Sequence, residues 1–302
     1  MDVLERYEPL VDDPEAFYET CRRPLPTTVR ANPIKAPVER VRRALDDEGV
    51  AWTASEWNPH VMTVETDFPG NTWANFHGWI HGQEEVSALP PVVVDPRPGE
   101  RVFDACAAPG GKTTQLAALM DDEGLVVAND SNLGRLSALR SNAERLGVTN
   151  VAVTNRDARR FSLDPFGSEP FDRALVDAPC SCEGTVRKNP EVIDEWSQSH
   201  VEHVAGLQKG ILRRAVQATK EGGVVVYSTC TFAPEENEAV LDHVLEAEDC
   251  RILPIDTDLE TRPGVTEWDG EEYDPQVADA VRIYPHHNDT GGFFCAKLEV
   301  GG

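Results

Sequence analysis

Two cysteines and three aspartates carry most of the chemistry this sequence can offer. Cys180 follows a proline in Asp177-Ala178-Pro179-Cys180, and Cys230 closes Ser228-Thr229-Cys230. A thiol where a buried strand ends and a helix soon starts is exposed at the sheet edge, and its pKa can be lowered enough to make a nucleophile. The bland alternative is two small buried hydrophobes, the usual fate of cysteine. Asp130 lies about 20 residues past Gly110, the separation at which an acidic residue meets ribose hydroxyls. Asp157 is placed to take an adenine amino group, or else to cap a short helical turn.

These residues converge only if the elements around them end at one edge. The stretch Val102–Thr113, VFDACAAPGGKT, reads as a strand, a loop turning at Pro109-Gly110-Gly111, and a helix from Lys112 to Met120 with Leu116 and Leu119 on one face. Such a loop offers backbone amides and a helix N-terminus to a polar ligand, and its glycines permit close approach. It is not a P-loop, because Cys106 stands where the first glycine is required, and G-x-G-x-x-G is absent. An adenosyl-type ligand without a pyrophosphate remains.

Further strands are expected at Gly124–Asn129, Val151–Thr154, Phe171–Val176 and Gly223–Tyr227, with later candidates at Arg251–Ile255, Val281–Tyr284 and Phe293–Leu298. Helical patterns at Leu133–Leu146, His200–Thr219 and Pro234–Ala247 fill the spaces. Alternating strands and helices imply a doubly wound parallel sheet over residues 76–302. Asp130, Asp157, Asp177, Cys180 and Cys230 then all fall just past strand carboxyl ends, the edge where open α/β sheets bind ligands.

Residues 1–75 read as a small α/β appendage, with a helix opening at Pro37, burying Val38, Val41 and Leu45 and stopping at Gly49, between strands near Thr28–Arg30 and Met62–Val64. It collects Arg22, Arg23, Arg30, Lys35, Arg40, Arg42 and Arg43, which form either a solvated face or an RNA-contacting surface. Pro90-Pro91 and the Pro-Gly-rich run from Asp95 to Gly99 punctuate the approach to the first large-domain strand.

The chain has 302 residues, 53 acidic and 28 basic, for a net charge of −25, and only six of the basic residues are lysines. That balance is expected of a halophilic protein in a salt-rich cytoplasm. At about 1 M salt the Debye length is roughly 3 Å, so the charge says more about the host than against a polyanionic partner. No amino-terminal signal segment or membrane-length apolar run is seen, and the expectation is a cytoplasmic monomer. Seven dispersed cysteines point to free thiols. Cys180-Ser181-Cys182 has the form of a metal half-site, but without a second pair at ligand spacing no metal is expected.

CAAPGGKT at Cys106–Thr113, DAPCS at Asp177–Ser181 followed by Gly184 and Arg187-Lys188-Asn189-Pro190, STCT at Ser228–Thr231 before Pro234-Glu235-Glu236-Asn237-Glu238, and the terminal GGFFCAKL resemble the Nol/Nop/Sun (Fmu-like) family of RNA cytosine-C5 methyltransferases. The resemblance runs from about Thr27 to Leu298. It implies a Rossmann-like class I methyltransferase sheet and an S-adenosyl-L-methionine site at Cys106, Ala107, Ala108, Pro109, Gly110, Gly111 and Lys112 with Asp130, Asp157 and Asp177. It further implies Cys230 as nucleophile, Cys180 assisting release, and Lys112 and Asp177 at the catalytic centre. Its implied partner is RNA, tRNA ahead of rRNA. A DNA cytosine methyltransferase would take its nucleophile from the PC motif, and a non-catalytic RNA-binding or ribosome-assembly factor would need neither cysteine.

Overall fold

The computed structural model describes residues 2–301. The chain opens with helices α1 (Asp2–Glu5) and α2 (Pro14–Cys21). It continues through β1 (Thr28–Ala31), α3 (Val38–Asp47), β2 (Trp52–Ala54), β3 (Val61–Val64), α4 (Trp73–Phe76) and β4 (Ile80–Gly82). The four strands form an antiparallel sheet in the order β2-β3-β1-β4. Val41 and Leu45, one helical turn apart on α3, pack on Val29, Met62 and Ile80. The small sheet therefore runs to Gly82, past the boundary expected at residue 75. α1 and α2 sit elsewhere: Tyr7 and Phe17 pack their rings against Phe232 of the large domain.

The large domain comprises α5 (Leu89–Val94), β5 (Arg101–Asp104), α6 (Gly111–Leu119), β6 (Leu125–Asn129), α7 (Leu136–Leu146), β7 (Val151–Thr154), β8 (Phe171–Asp177), α8 (Gln198–Ala218) and β9 (Thr219–Thr229). There follow α9 (Glu238–Ala247), β10 (Cys250–Leu253), the two-residue strands β11 (Arg262–Pro263), β12 (Glu267–Trp268) and β13 (Glu271–Glu272), then β14 (Val281–Ile283), α10 (Pro285–Asn288) and β15 (Phe293–Val300). The main sheet runs β11-β14-β15-β9-β8-β5-β6-β7, with β10 also paired to β15. Strands β7, β6, β5, β8 and β9 are parallel, and β15 runs antiparallel to β9. Their near-continuous apolar runs suit strands covered on both faces.

The chain moves outward from β5 through β6 to β7, then returns to β8 on the other side of β5. This reversal makes the topological switch point, where adjacent connections diverge and leave a crevice. One expectation is corrected nearby: Pro90-Pro91 sit in the first turn of α5, where a missing N–H costs nothing, and do not punctuate a loop. Arg30 is likewise no surface contact. It is buried between the domains, donating to the Gln83 side chain at 2.8 Å and to Thr114 Oγ at 3.2 Å. Among the described residues, no helix is long and apolar enough to cross a membrane.

Candidate active site

The carboxyl edge of the sheet opens onto a cavity of about 640 Å³ at the switch point, lined by Asp130, Asp157, Asp177, Cys180, Cys182 and Cys230 among others. All five strand-end residues singled out in the sequence meet there. A second cavity of about 210 Å³ adjoins it through Cys106, Ala108 and Asp177, and takes in Ala107, Pro109, Gly111 and Lys112. The loop from Cys106 to Lys112 thus forms the wall between the two.

Local forces hold that loop. Ala107 donates its N–H to the Asn129 carbonyl at 2.7 Å, anchoring the loop on the end of β6. Gly110, at φ +102°, takes a left-handed conformation that starts α6 and brings the backbone against Leu139. The buried Asp130 carboxylate accepts from the N–H groups of Ala108 at 3.2 Å and Asn132 at 2.8 Å, so it joins the glycine loop to the loop after β6. Asp157 caps the turn at residues 158–160 and accepts from the Arg159 side chain at 2.6 Å while still lining the large cavity. The capping role read from the sequence is present, and the same carboxylate borders the cavity. The Arg159 hydrogen bond is the largest influence on Asp157 and lowers its pKa.

Asp177 ends β8 with one oxygen accepting from Lys112 Nζ at 2.8 Å and the other from Ser228 Oγ at 2.9 Å. Lys112 also donates to Ser87 Oγ at 2.9 Å. Burial opposes the lysine's charge, but the adjoining Asp177 carboxylate, with Cys230 and Asp104 behind it, outweighs burial and raises its pKa. The ion pair spans the wall, since Asp177 borders both cavities and Lys112 the smaller one.

Cys180 and Cys230 Sγ atoms approach to 3.3 Å, although 50 residues separate them in sequence. Cys182 adds a third sulfur, 3.7 Å from Cys180, and all three lie within 4.8 Å of one another, so the half-site seen in sequence gains Cys230 as a neighbour. Cys182 has φ +67°, a left-handed conformation unusual for a residue with a side chain, and its sulfur turns back to the Cys180 carbonyl at 3.1 Å. Hydrogen bonds with Cys182 and Cys230, then burial, push the Cys180 thiol up. Cys230 is also raised: its contact with Cys180 works to lower it, but Cys182, burial and the Asp177 charge prevail. Hydrogen bonds from both neighbours bring Cys182 down to about 3. The three thiols therefore titrate as a coupled group, with Cys182 losing its proton ahead of Cys180 and Cys230.

Behind the thiols lies a buried polar network that sequence reasoning did not reveal. Glu183 accepts from Tyr7 OH at 2.7 Å, Trp196 Nε1 at 2.6 Å, Ser181 Oγ at 2.6 Å and Thr231 Oγ at 2.5 Å. Glu236 accepts through one oxygen from the Ser181 N–H at 3.1 Å and from Gln208 Nε2 at 2.7 Å, and its protonated second oxygen donates to Ser181 Oγ, whose single proton goes to Glu183. Burial, and then the Glu183 charge, push Glu236 up to about 8, although hydrogen bonds from Ser181 and Gln208 work against the rise. Ser181 and Thr231 immediately follow Cys180 and Cys230, so the carboxyl pair fixes both thiol-bearing loops. Gly184 completes the packing: its N–H donates to the Cys230 carbonyl at 2.9 Å, and a Cβ there would lie 2.3 Å from the Gly292 carbonyl oxygen.

Asp104 was also missed, although an acid closing an apolar strand is the same signal that marks Asp177. Burial pushes it up to about 7 against the hydrogen bond from Thr113 Oγ at 2.7 Å, and its Oδ1 has no partner. His81, Gln83 and Glu84, on and after β4, supply the far wall of the smaller cavity.

The larger cavity lies within the usual range for a small-molecule site, about 300–1,000 Å³. It has a buried carboxylate at the end of the second parallel strand, Cys106 and Ala108 of the glycine loop and a group of three thiols, a donor set that fits S-adenosylmethionine. The fold and site define a Rossmann-like S-adenosylmethionine-dependent methyltransferase. The chain belongs to the 16S rRNA methyltransferase RsmB/F family, whose model matches residues 91–299, and it is an RNA cytosine-C5 methyltransferase. It is 38% identical over 300 residues to the tRNA (cytosine(49)-C(5))-methyltransferase of Pyrococcus abyssi, covering 98% of this chain and 94% of that protein. The ribosomal RNA small subunit methyltransferase F of Vibrio parahaemolyticus is 37% identical over 94% of this chain, which spans 59% of that relative's length. A solved methyltransferase homolog from Pyrococcus horikoshii superposes with a TM-score of 0.83 at 34% identity, covering 94% of this chain and 90% of that one.

Proposed function

We propose that the enzyme methylates tRNA through a covalent adduct between Cys230 and C6 of the target cytosine. The observation that carries this reading is the pair of thiols 3.3 Å apart beside the Lys112–Asp177 ion pair. Cytosine C5 is too weak a nucleophile to take a methyl group directly. Addition of the Cys230 thiolate to C6 makes C5 an enamine carbon. The sulfonium cofactor supplies the electrophilic methyl, and the loop from Cys106 to Lys112 with Asp130, Asp157 and Asp177 would hold it. Asp177, fixed by Lys112 and Ser228, would accept a hydrogen bond from the cytosine amino group, while charged Lys112 stabilises negative charge gathering on the ring. Once a second proton has passed from the Cys180–Cys182 pair to solvent, the Cys180 thiolate would take the C5 proton, so that the C6–S bond breaks, the electron pair restores the ring double bond, and Cys230 leaves as a thiolate. The base must be unstacked to present its face to the thiols.

Preference for tRNA over rRNA is supported by the pyrococcal tRNA enzyme, matched over nearly its full length, against the partial overlap with the rRNA enzymes. The domain with the small antiparallel sheet would contact RNA through Arg40, Arg42 and Arg43, and the acid-rich composition supports a halophilic protein. Tritiated methyl transfer to tRNA and rRNA transcripts, followed by denaturing electrophoresis, tests the roles. Cys230→Ala should lose methylation and leave no covalent species, whereas Cys180→Ala should accumulate a denaturant-resistant RNA adduct. The reverse pattern would make Cys180 the nucleophile, and labelling of rRNA alone would overturn the tRNA assignment.

A further inference from the structure

Outside the catalytic crevice, one surface of the small domain carries exposed aromatic rings in a stacked series. The Arg40 guanidinium lies 4.4 Å from the Trp79 ring centre, His77 stacks on Trp79 at 5.0 Å and 22°, and Trp73 stacks on His77 at 5.7 Å and 23°. Phe76 closes edge-on against Trp73 at 5.8 Å and 89°. Trp73 is 62% exposed, Phe76 71%, and Phe68, just before the turn into α4, 69%. Such side chains are ordinarily shielded from water, and here three of the six exposed large hydrophobics among the described residues fall within nine residues of chain.

We infer that this series is a stacking platform for unpaired bases of the RNA substrate, flanking the nucleotide delivered to Cys230. The inference rests on the substrate being RNA. Parallel planar groups ending in an open indole present a π-face that any unpaired base can extend. Stacking also suits the composition. Phosphate contacts weaken steeply with salt, and the chain carries a net charge of −25, whereas base stacking requires no net positive charge. The platform is continuous with the site. Arg145 of α7 donates to the carbonyls of Asn75 at 2.9 Å and Ile80 at 3.0 Å, and Asn32 donates to those of Gly78 at 2.9 Å and Leu146 at 2.8 Å. Two residues beyond Trp79, His81 lines the cavity that contains Lys112 and Asp177. A strand stacked on Trp73 and Phe76 is thereby held in fixed relation to the thiols.

Fluorescence anisotropy with a labelled single-stranded oligocytidine decamer, and methylation kinetics on an unmodified tRNA transcript, test the inference on the full chain. Trp73→Ala/Phe76→Ala should weaken oligonucleotide binding by about tenfold to a hundredfold. The same variant should raise KM for the transcript, with kcat and S-adenosylmethionine affinity unchanged, and Trp73→Phe should restore most of the binding. Wild-type affinity and KM in the double variant, while the native enzyme methylates RNA, would overturn the platform and leave the RNA activity standing. Absence of RNA binding and methylation by the native enzyme would instead overturn the activity on which the platform depends. A concentration-dependent native dimer that the double variant abolishes, with RNA binding intact, would assign the surface to self-association and also overturn the inference.

Discussion

The two surfaces that would meet RNA are built on opposite principles. At the sheet edge the thiols are half-buried, each loop is tied down by hydrogen bonds, and carboxyl groups lie beneath them without contact to solvent. On the small domain, rings and guanidinium groups face water, fixed mainly by packing on one another. Bond making needs groups held to a fraction of an ångström in a medium that strengthens their interaction, whereas capture of a flexible strand needs reach and tolerance. Disturbing the first region should cost turnover or stability, and disturbing the second should cost affinity.

The largest expected effect comes from Lys112. Lys112→Ala leaves Asp177 without its ionic partner beside Asp104, and removal of one member of a mostly buried pair costs about 3–5 kcal/mol. Turnover should fall about a thousandfold in single-turnover methyl transfer, with a smaller change in RNA affinity. A fall in affinity with normal turnover would place Lys112 on the RNA surface instead.

Next is Glu236, whose folded-state pKa of about 8 lies above its ordinary 4.5. Between those values the folded protein keeps a proton that the unfolded chain releases, so stability falls as pH rises from about 4.5 to 8. Glu236→Gln removes this titration while retaining an acceptor for Ser181. Denaturant unfolding from pH 5 to pH 8 should show a loss on the order of 3 kcal/mol in the native protein and a flatter profile in the variant. Parallel profiles would mean that Glu236 is already ionised when folded. A smaller effect is expected at Asp130, where alanine removes an acceptor of two backbone N–H groups. Calorimetric affinity for S-adenosylmethionine should weaken by about tenfold to a hundredfold, and an unchanged value would remove Asp130 from the ribose role.

The parallel strands were legible because burial on both faces writes them as short apolar runs. The site was legible where a polar residue closes such a run, as at Asp130, Asp177 and Cys230. The cysteine contact followed from topology, since β8 and β9 are neighbours in the sheet. Other features left weaker traces. α5 was obscured by Pro90-Pro91, whose meaning depends on whether they fall in a first helical turn. β4 has only three residues and gains its identity from pairing with β1. Glu183 and Glu236 look like ordinary surface acids in sequence, because burial of an acid depends on donors brought from Tyr7, Trp196 and Gln208. The left-handed backbone of Cys182 has no sequence signal, and it alone turns a pair of thiols into a group of three.

The smallest expected effect separates the charged and aromatic parts of the small domain. Arg40 and Arg43 are exposed on α3, whereas Arg42 lies partly against Trp52 at 5.1 Å and donates to the Pro59 carbonyl at 3.1 Å. These arginines would act on RNA through phosphate charge, a long-range contribution that dissolved ions screen; a ring face acts by contact and is far less affected. Arg40→Glu/Arg42→Glu/Arg43→Glu should therefore weaken the oligocytidine decamer by about tenfold near 0.1 M KCl, with a reduced slope of log affinity against log salt. Near 2 M KCl, where the screening length is below about 3 Å, the same variant should bind within about twofold of the native protein. The loss in Trp73→Ala/Phe76→Ala should persist across that range. If the arginine variant loses as much at 2 M as at 0.1 M, these side chains grip RNA by direct hydrogen bonding or by supporting Trp79 and Trp52, and the small domain would then resemble the catalytic crevice in relying on fixed local contacts.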